Sequence, residues 1–264
     1  MPKQRPACIG KRQPEDIAIR AATPTSNVLD IPSVGLEQSE EADARTLAVD
    51  RQSFRIRLAD TQGQRNAAGM LIKRMYSWRG YSTALPSTGD PNRVTLTAAD
   101  KLHPDIPAGT ISLGFDCPEG LLADQIYKTD LDQFRARGCK ICELTKLAFE
   151  RTLNSKQGLA SLFHIAYIYA YSIHQRTDLF IEVNPRHVKF YQTMLGFQQC
   201  GEEKTNPRVN APGVLLWLGL DYVQRQIQQF GGKMELADTE RSLYPYGFSP
   251  AEEEGIKQRV MQLK

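Results

Sequence analysis

The sequence predicts a mixed α/β fold built on one central sheet flanked by helices, in a single domain with appended termini. Three observations carry this. Between residues 51 and 231, stretches of two-residue apolar alternation take turns with stretches of helical period. The chain has 264 residues, 41% hydrophobic and 24% charged, enough to bury a sizeable core. Pro and Gly signals punctuate the segments, and no repeat of solenoid period interrupts the order. That order suits one sheet covered by helices.

Residues 1–50 are rich in Pro, Ser, Thr, Glu and Gln, which predicts a flexible N-terminal arm, with a short helix near Glu40–Asp50. Gln52–Ala59 alternates Phe54, Ile56 and Leu58 against Arg55 and Arg57, a half-buried strand. Ala68, Leu71, Ile72, Met75 and Tyr76 mark an amphipathic helix ending near Gly80. After a loop at Leu85–Asn92 come strands at Val94–Ala99 and Gly109–Phe115, then a helix over Leu121–Arg137 stopped by Gly138. Lys140–Phe149 reads as a strand, and Leu159–Ile173 as a long buried helix. The strand Leu179–Val183 precedes Pro185, suited to the first turn of a helix over Arg186–Leu195 that ends at Gly196. Strands at Phe197–Cys200 and Val214–Leu220 and a helix at Tyr222–Phe230 close the domain. Within residues 232–264, a C-terminal extension, Ser249-Pro250-Ala251-Glu252 forms a capping box that predicts a peripheral helix to about Leu263.

Net charge is +3, unevenly spread: −2 over residues 1–50, −1 over 232–264, and 22 basic against 16 acidic residues between. There is no Lys/Arg run and no aromatic-basic interleaving, so no nucleic-acid partner is expected. The excess suits an acidic protein partner or an anionic cofactor equally well. No stretch approaches 18 apolar residues, so no transmembrane segment is expected, and Met1–Gly10 lacks the apolar run of a secretory signal. Five cysteines suit a reducing compartment, and the expected setting is cytoplasmic and bacterial. Cys139 and Cys142 form a lone CxxC leading into a strand, which reads as two small residues in a sheet. His103, His164, His174 and His187 lack metal-ligand spacing, so no metal site is expected. Neither a nucleophile elbow nor a phosphate-binding glycine loop occurs.

Lys140–Phe149 is the informative segment. By strand alternation Glu143 shares a face with Ile141, Thr145, Leu147 and Phe149. A carboxylate among apolar neighbours is costly to bury unless it is paired, hydrogen-bonded or used. Two readings stand: an ion pair with an Arg of a neighbouring strand, or a general base whose pKa is raised by its surround.

Val183–Phe197 (VNPRHVKFYQTMLGF) resembles the end of the GCN5-related N-acetyltransferase fold. That resemblance implies a splayed mixed sheet with the thioester in the splay and Tyr191 as the acid for the leaving thiolate; a core tyrosine with a bonded hydroxyl is the alternative. Four residues separate Tyr191 from Gly196, where many members have three. The pyrophosphate-gripping turn of that fold has only Gln157-Gly158 as an echo in Glu150–Ser161. Cys142–Ala148 and Met75–Tyr81 resemble segments of acyl-homoserine lactone synthases, but the acidic cluster that follows in those enzymes is missing after Tyr81. The sister group, the long-chain N-acyl amino acid synthases (FeeM-like), is the nearest match, over about residues 53–220. Its most specific parts are Glu143–Ala148, Asn184–Phe197 and Val209-Asn210-Ala211-Pro212.

This resemblance implies transfer of a fatty acyl group from acyl carrier protein to the α-amine of an amino acid. Glu143 is then the base and Tyr191 the acid, with backbone amides around Thr145 and Lys146 facing the oxyanion. Lys146 pairs either the phosphopantetheine phosphate or the acceptor carboxylate. Tyr76, Arg79 and Asn184 wall the acceptor site, and Arg135, Arg137, Lys140, Arg151 and Lys156 dock the donor. No cofactor is bound permanently; the phosphopantetheine-linked acyl thioester is a substrate. The alternatives are an acyl-CoA-dependent N-acyltransferase and a non-catalytic acyl- or protein-binding module on the same fold.

Overall fold

The computed structural model describes residues 47–51, 54–77, 90–150 and 156–262. Two short antiparallel strands, β1 (Ala48–Asp50) and β2 (Phe54–Leu58), lead into helix α1 (Gln62–Ser77). Strands β3 (Arg93–Asp100) and β4 (Pro107–Phe115) follow, then α2 (Asp124–Ala136), β5 (Ile141–Phe149) and α3 (Lys156–Tyr167). Strand β6 (Asp178–Val183) leads through a 3-10 turn, Pro185–His187, into α4 (Val188–Leu195). Strands β7 (Gln198–Gln199), β8 (Lys204–Asn206) and β9 (Ala211–Gly219) come next, then α5 (Leu220–Phe230) and α6 (Pro250–Gln262).

The sheet runs β1-β2-β3-β4-β5-β6-β9-β7, with β8 paired to β9 off that path. Every pairing is antiparallel except β5 with β6. The parallel register spans only Ile141↔Asp178 to Glu143↔Phe180, although β5 continues to Phe149 and β6 to Val183. Each strand keeps its outer partner to the end, β5 with β4 at Phe149↔Gly109 and β6 with β9 at Val183↔Val214. The two halves of the sheet therefore part beyond Glu143 and leave a wedge.

The larger core lies on one face, where Ile56, Leu96, Ile111, Leu113, Cys142, Leu144 and Leu216 meet α3, α5 and the C-terminal segment. On the other face a smaller cluster joins Tyr127 and Leu131 of α2 to Ile141, Phe180 and Leu215. Over β3 and β4 this second face is polar. Thr95, Thr97, Thr110 and Ser112 alternate with the apolar residues of β3 and β4 and are all buried. Burial without partners would be costly, and three of the four are bonded: Thr95 Oγ1 lies 2.8 Å from Ser112 Oγ, and Thr110 Oγ1 donates to the Leu96 carbonyl at 3.1 Å.

Several elements differ from the sequence expectation. Ala48–Asp50, inside the span read as an arm and as the end of a helix, is strand β1, and Leu47 and Val49 are buried. The long helix keeps α-geometry only to Tyr167, then runs as a π-helix over Ile168–Ile173. The C-terminal helix is not peripheral, since Ile256 and Val260, one turn apart, are 1% and 3% exposed within the main core. Its capping box is present: Glu252 Oε2 accepts from the Ser249 N–H at 2.8 Å and Ser249 Oγ from the Glu252 N–H at 3.3 Å. Strand β8 has no counterpart in the sequence reading; three residues of mixed polarity leave too short a pattern.

Candidate active site

The wedge is edged by a bulge. Opposite β4, Ser112 pairs with Thr145 but Thr110 pairs with Ala148, so β5 holds one extra residue there. Lys146 absorbs it with φ 55, a left-handed conformation costly for a residue with a Cβ. The bulge also breaks strand alternation. Ile141 faces α2, but Leu147 and Phe149 pack on the opposite, main core. The expectation that Glu143 shares a face with Leu147 and Phe149 is therefore corrected; one inserted residue moves them across the sheet.

Glu143 is 2% exposed. Its Oε1 accepts from the Leu122 N–H at 2.9 Å and its Oε2 from the Ala123 N–H at 3.1 Å, in the turns that start α2. Arg93 Nη2 stands 3.6 Å from Oε1, while its Nη1 donates to Thr145 Oγ1 at 3.2 Å. Arg93 is on β3, two strands away, and reaches over Gly114, which pairs with both residues. A Cβ on Gly114 would sit 3.2 Å from Glu143 Oε1 and 3.4 Å from Arg93 Nη2. Burial pushes the Glu143 carboxyl above its ordinary value, while the two amides and Arg93 pull it back. The two alternatives, an Arg pair and a raised pKa, occur together in one residue, although the arginine comes from two strands away and not from a neighbouring strand. Two amide donors leave acceptor capacity on a carboxylate that has about four lone-pair positions.

Lys146 is half-buried, and burial first, then Arg93, lowers its pKa, with Glu143 opposing and Arg208 adding to the lowering. Arg208 is held by Glu182, Nη2 to Oε2 at 3.2 Å, and Glu182 is bonded also by Asn206 Nδ2. Three cations thus gather around one buried carboxylate at this edge of the wedge.

Tyr191 lies on the other face. Its ring meets Phe163 at 6.5 Å and Phe197 at 5.9 Å, both edge-on. Helix α4 closes at Gly196 (φ 86), with the Phe197 N–H bonded to the Tyr191 carbonyl, so the glycine fixes where the tyrosine points. Burial raises the pKa of the Tyr191 phenol and the neighbouring Tyr76 adds to it, so the hydroxyl stays protonated. Tyr76, at the end of α1, donates to the Leu147 carbonyl at 2.6 Å, beside the bulge. The fold thus brings Glu143, Thr145 and Lys146 together on one side of the wedge and Tyr191 and Tyr76 on the other. Asn184 caps the turn after β6, its Oδ1 accepting from the Arg186 N–H at 3.3 Å and its Nδ2 reaching the Pro212 carbonyl at 3.4 Å.

The basic residues expected to dock the donor do not form one patch. Arg135 is engaged by Asp116, Asp124 and Asp132 at 2.6–2.7 Å, and hydrogen bonds, that with Asp124 first, raise its pKa. Arg137 lies 4.2 Å over the Phe134 ring. These two and Lys140 precede β5, whereas Lys156 follows it, 5.1 Å over the Tyr246 ring. A nine-residue strand at about 3.3 Å per residue separates the groups by roughly 30 Å. Nearness in sequence is not nearness in space when a strand intervenes. Arg79 and Arg151 lie outside the described residues.

Arg93, Gly114, Arg208 and Glu182 were not singled out in the sequence. A signal for Arg93 existed, since it begins the alternating run Arg93, Thr95, Thr97, an unusual polar face for a central strand. Glu182 and Arg208 meet through β9 and carried no such pattern.

A mostly antiparallel sheet split at one parallel pair, with a bulge at the split, is the GCN5-related N-acetyltransferase fold, and the family match that follows makes the protein an acyltransferase. The model of the N-acyl amino acid synthase FeeM family matches residues 67–219. The chain belongs to that family. Its structure is similar to that of FeeM, an N-acyl amino acid synthase from uncultured soil microbes, at 30% identity and TM-score 0.58 over 64% of this chain and 92% of that one. It is also similar to an N-acetyltransferase candidate from Lactobacillus plantarum, at 16% identity and TM-score 0.46 over 64% of this chain and 99% of that one. A search of curated proteins finds no significant match. Among the described residues no helix is long and apolar enough to cross a membrane.

Proposed function

We propose that this N-acyltransferase moves a fatty acyl group from the phosphopantetheine thioester of an acyl carrier protein to the α-amine of an amino acid. The observation that carries the reading is the wedge between β5 and β6, with a desolvated carboxylate on one side and a protonated phenol on the other. The acceptor enters as an ammonium. Glu143, assisted by a water where reach requires it, removes a proton, and the free amine attacks the thioester carbonyl. Backbone amides of the bulge at Thr145–Lys146 face the oxyanion. When the intermediate collapses, the C–S bond breaks, the C–N bond remains, Tyr191 protonates the departing thiolate, and the second proton lost from the amide nitrogen passes through water to restore the phenol. Lys146, with Arg93 and Arg208 around it, suits the acceptor carboxylate better than the carrier's phosphate, because the same group of side chains then holds both ends of a zwitterion. A soluble, cytoplasmic setting with free carrier protein fits this chemistry.

Carrier protein is favoured as donor because the pyrophosphate turn of the fold is degraded in Glu150–Ser161 while residues 51–231 carry the excess of positive charge. Anchoring by spread surface charge is long-range and salt-sensitive. The test is kcat/KM for one acyl chain on carrier protein and on coenzyme A, at low and moderate salt, with N-acyl amino acids identified by mass spectrometry. The expected result is a preference for carrier protein that shrinks as salt rises. Equal efficiency without a salt effect favours an acyl-CoA enzyme, and absence of amide product defeats the acceptor assignment.

A further inference from the structure

The turn that holds Glu143 is itself held by one arginine. Residues 116–123 link the end of β4 to α2, and at the far end of this link Leu122 and Ala123 supply the two amides that meet the Glu143 carboxylate. Arg135, in the last turn of α2, uses all five of its guanidinium N–H groups around the link. Nε and Nη2 donate to Asp116 Oδ2 and Oδ1 at 2.9 and 2.7 Å, a fork on the first residue of the link. Nη1 and Nη2 donate to Asp124 Oδ1 and Oδ2 at 2.7 and 2.6 Å, a second fork just past its last residue. The remaining Nη1 hydrogen goes to Asp132 Oδ1 at 2.7 Å.

These bonds span a break in the helix. In a straight α-helix Asp124 and Arg135 would stand about 16 Å apart along the axis, beyond the reach of an arginine side chain. Tyr127, at φ −121 and ψ 24, leaves helical geometry and lets the first turn fold back. Asp124 Oδ2 also accepts from the Leu121 N–H at 2.6 Å, next to the two amides that meet Glu143. At the other end the Asp116 N–H donates to the Ile141 carbonyl at 3.2 Å, two residues before Glu143. Gly120, at φ 79, leaves room for the second fork, since a Cβ there would sit 2.7 Å from Asp124 Oδ2. A single exposed ion pair is worth little, but two bidentate forks sharing one guanidinium fix geometry as well as charge.

We propose that Arg135 is a positioning residue for Glu143: by clamping both ends of the link it keeps the Leu122 and Ala123 amides aimed at the carboxylate. Its donors are spent there, which leaves none for the carrier docking expected from the sequence. The proposal rests on the acyl-transfer reading only where activity is measured. Besides the two amides, the groups facing Glu143 are Arg93 from β3, Arg208 ahead of β9, and Lys146 and Cys142 on its own strand; none of these belongs to the clamp. The amides lower the pKa of the buried carboxyl, so an unclamped link should raise it.

The sign of the change separates geometry from plain charge. Asp116→Asn deletes a negative charge, which by itself would make the Glu143 carboxylate easier to form. Arg135→Lys keeps the positive charge but loses both forks. Carboxyl-carbon NMR of protein labelled at glutamate Cδ, with Glu143→Gln to assign the resonance, reads Glu143 without substrate. Both clamp variants, checked for folding by circular dichroism, should raise its titration midpoint by about 1 pH unit, roughly the loss of one hydrogen bond to a charged group. Asp132→Asn, which loses an ion pair outside the link, should not raise it. The rising limb of kcat/KM against pH should move with the midpoint, and KM for the donor thioester should stay near wild type. A folded clamp variant whose midpoint is unchanged or lower overturns the proposal, and a raised donor KM at an unchanged midpoint returns Arg135 to docking. A raised midpoint that the kcat/KM limb does not follow leaves the clamp standing and removes Glu143 as the base.

Discussion

The two faces of the sheet are built from the same strands and do different things. One face is apolar, covered by α3, α5 and the C-terminal segment, and it buries Glu253, which is bonded to His164 and to Lys257 Nζ at 2.8 Å. The other face between β3 and β5 holds four buried hydroxyls and a buried carboxylate reached by an arginine two strands away. Hydroxyls and ions are poor filler for a core, and well-packed apolar groups would serve stability at least as well. The difference teaches that the apolar face holds the fold, while the polar face is the one that serves the wedge in the proposed reaction.

If so, substitutions should divide by face. The largest effect is expected on the polar side. Glu143→Gln keeps the shape and one oxygen for the α2 amides but removes the base, and should lower kcat by about 10²–10⁴ while leaving unfolding by denaturant near pH 4.5, where the carboxyl is protonated, nearly unchanged. A variant with wild-type turnover makes Glu143 a structural cap of α2 and erases the functional half of the comparison.

The next effect belongs to the apolar side. His164→Ala removes the acceptor of the Phe248 N–H, strips Glu253 of a donor and leaves a void, with an expected cost of about 2–4 kcal/mol in stability. Turnover of the remaining folded enzyme should hold within a few-fold. Smaller again is Tyr191→Phe. Thiolates leave readily, so kcat should fall by at most roughly tenfold to hundredfold, with KM for the acceptor unchanged. A rate equal to wild type assigns Tyr191 to packing alone.

Most of the fold was legible because long periodic segments report their own geometry. The β5 strand, the Gly138 and Gly196 stops and the Ser249 capping box all stand in the structure near their expected residues. The candidate site was legible only where it is local. Glu143 and Tyr191 were found because each sits in an informative stretch. Arg93 was missed because its partner is 50 residues away and depends on a glycine in the strand between them. The bulge at Lys146 was invisible because a single extra residue leaves the apolar pattern of Lys140–Phe149 intact in sequence while moving its second half to the other face. Arg135 looked like a surface charge because the three aspartates that hold it come from separate positions in the chain.

The smallest and sharpest separation of the faces is in the sign of their pH dependence. On the apolar face, burial lowers the pKa of His164, and burial, the largest single influence on Glu253, is outweighed by His164 and Lys257 together, which hold it below its ordinary value. The unfolded chain therefore takes up more protons there than the folded one as pH falls. Stability contributed by this pair is present near neutrality and is lost on acidification, beginning near the ordinary imidazole value of 6.5 and continuing through the carboxylate range. On the polar face the folded pKa of Glu143 is raised, so the folded state favours the protonated form. That contribution is complete below the ordinary value of 4.5 and is lost as pH rises through the folded pKa. Urea unfolding from pH 4.5 to 8.5 should show Glu253→Gln flattening the acid limb and Glu143→Gln flattening the alkaline limb. Activity gives the matching sign, since a base must be ionised: kcat/KM should rise with pH over the interval in which Glu143 loses its proton. If both variants instead change the same limb, the carboxylate of the polar face is ionised in the folded state throughout, and its burial is fully offset by Arg93 and the two α2 amides.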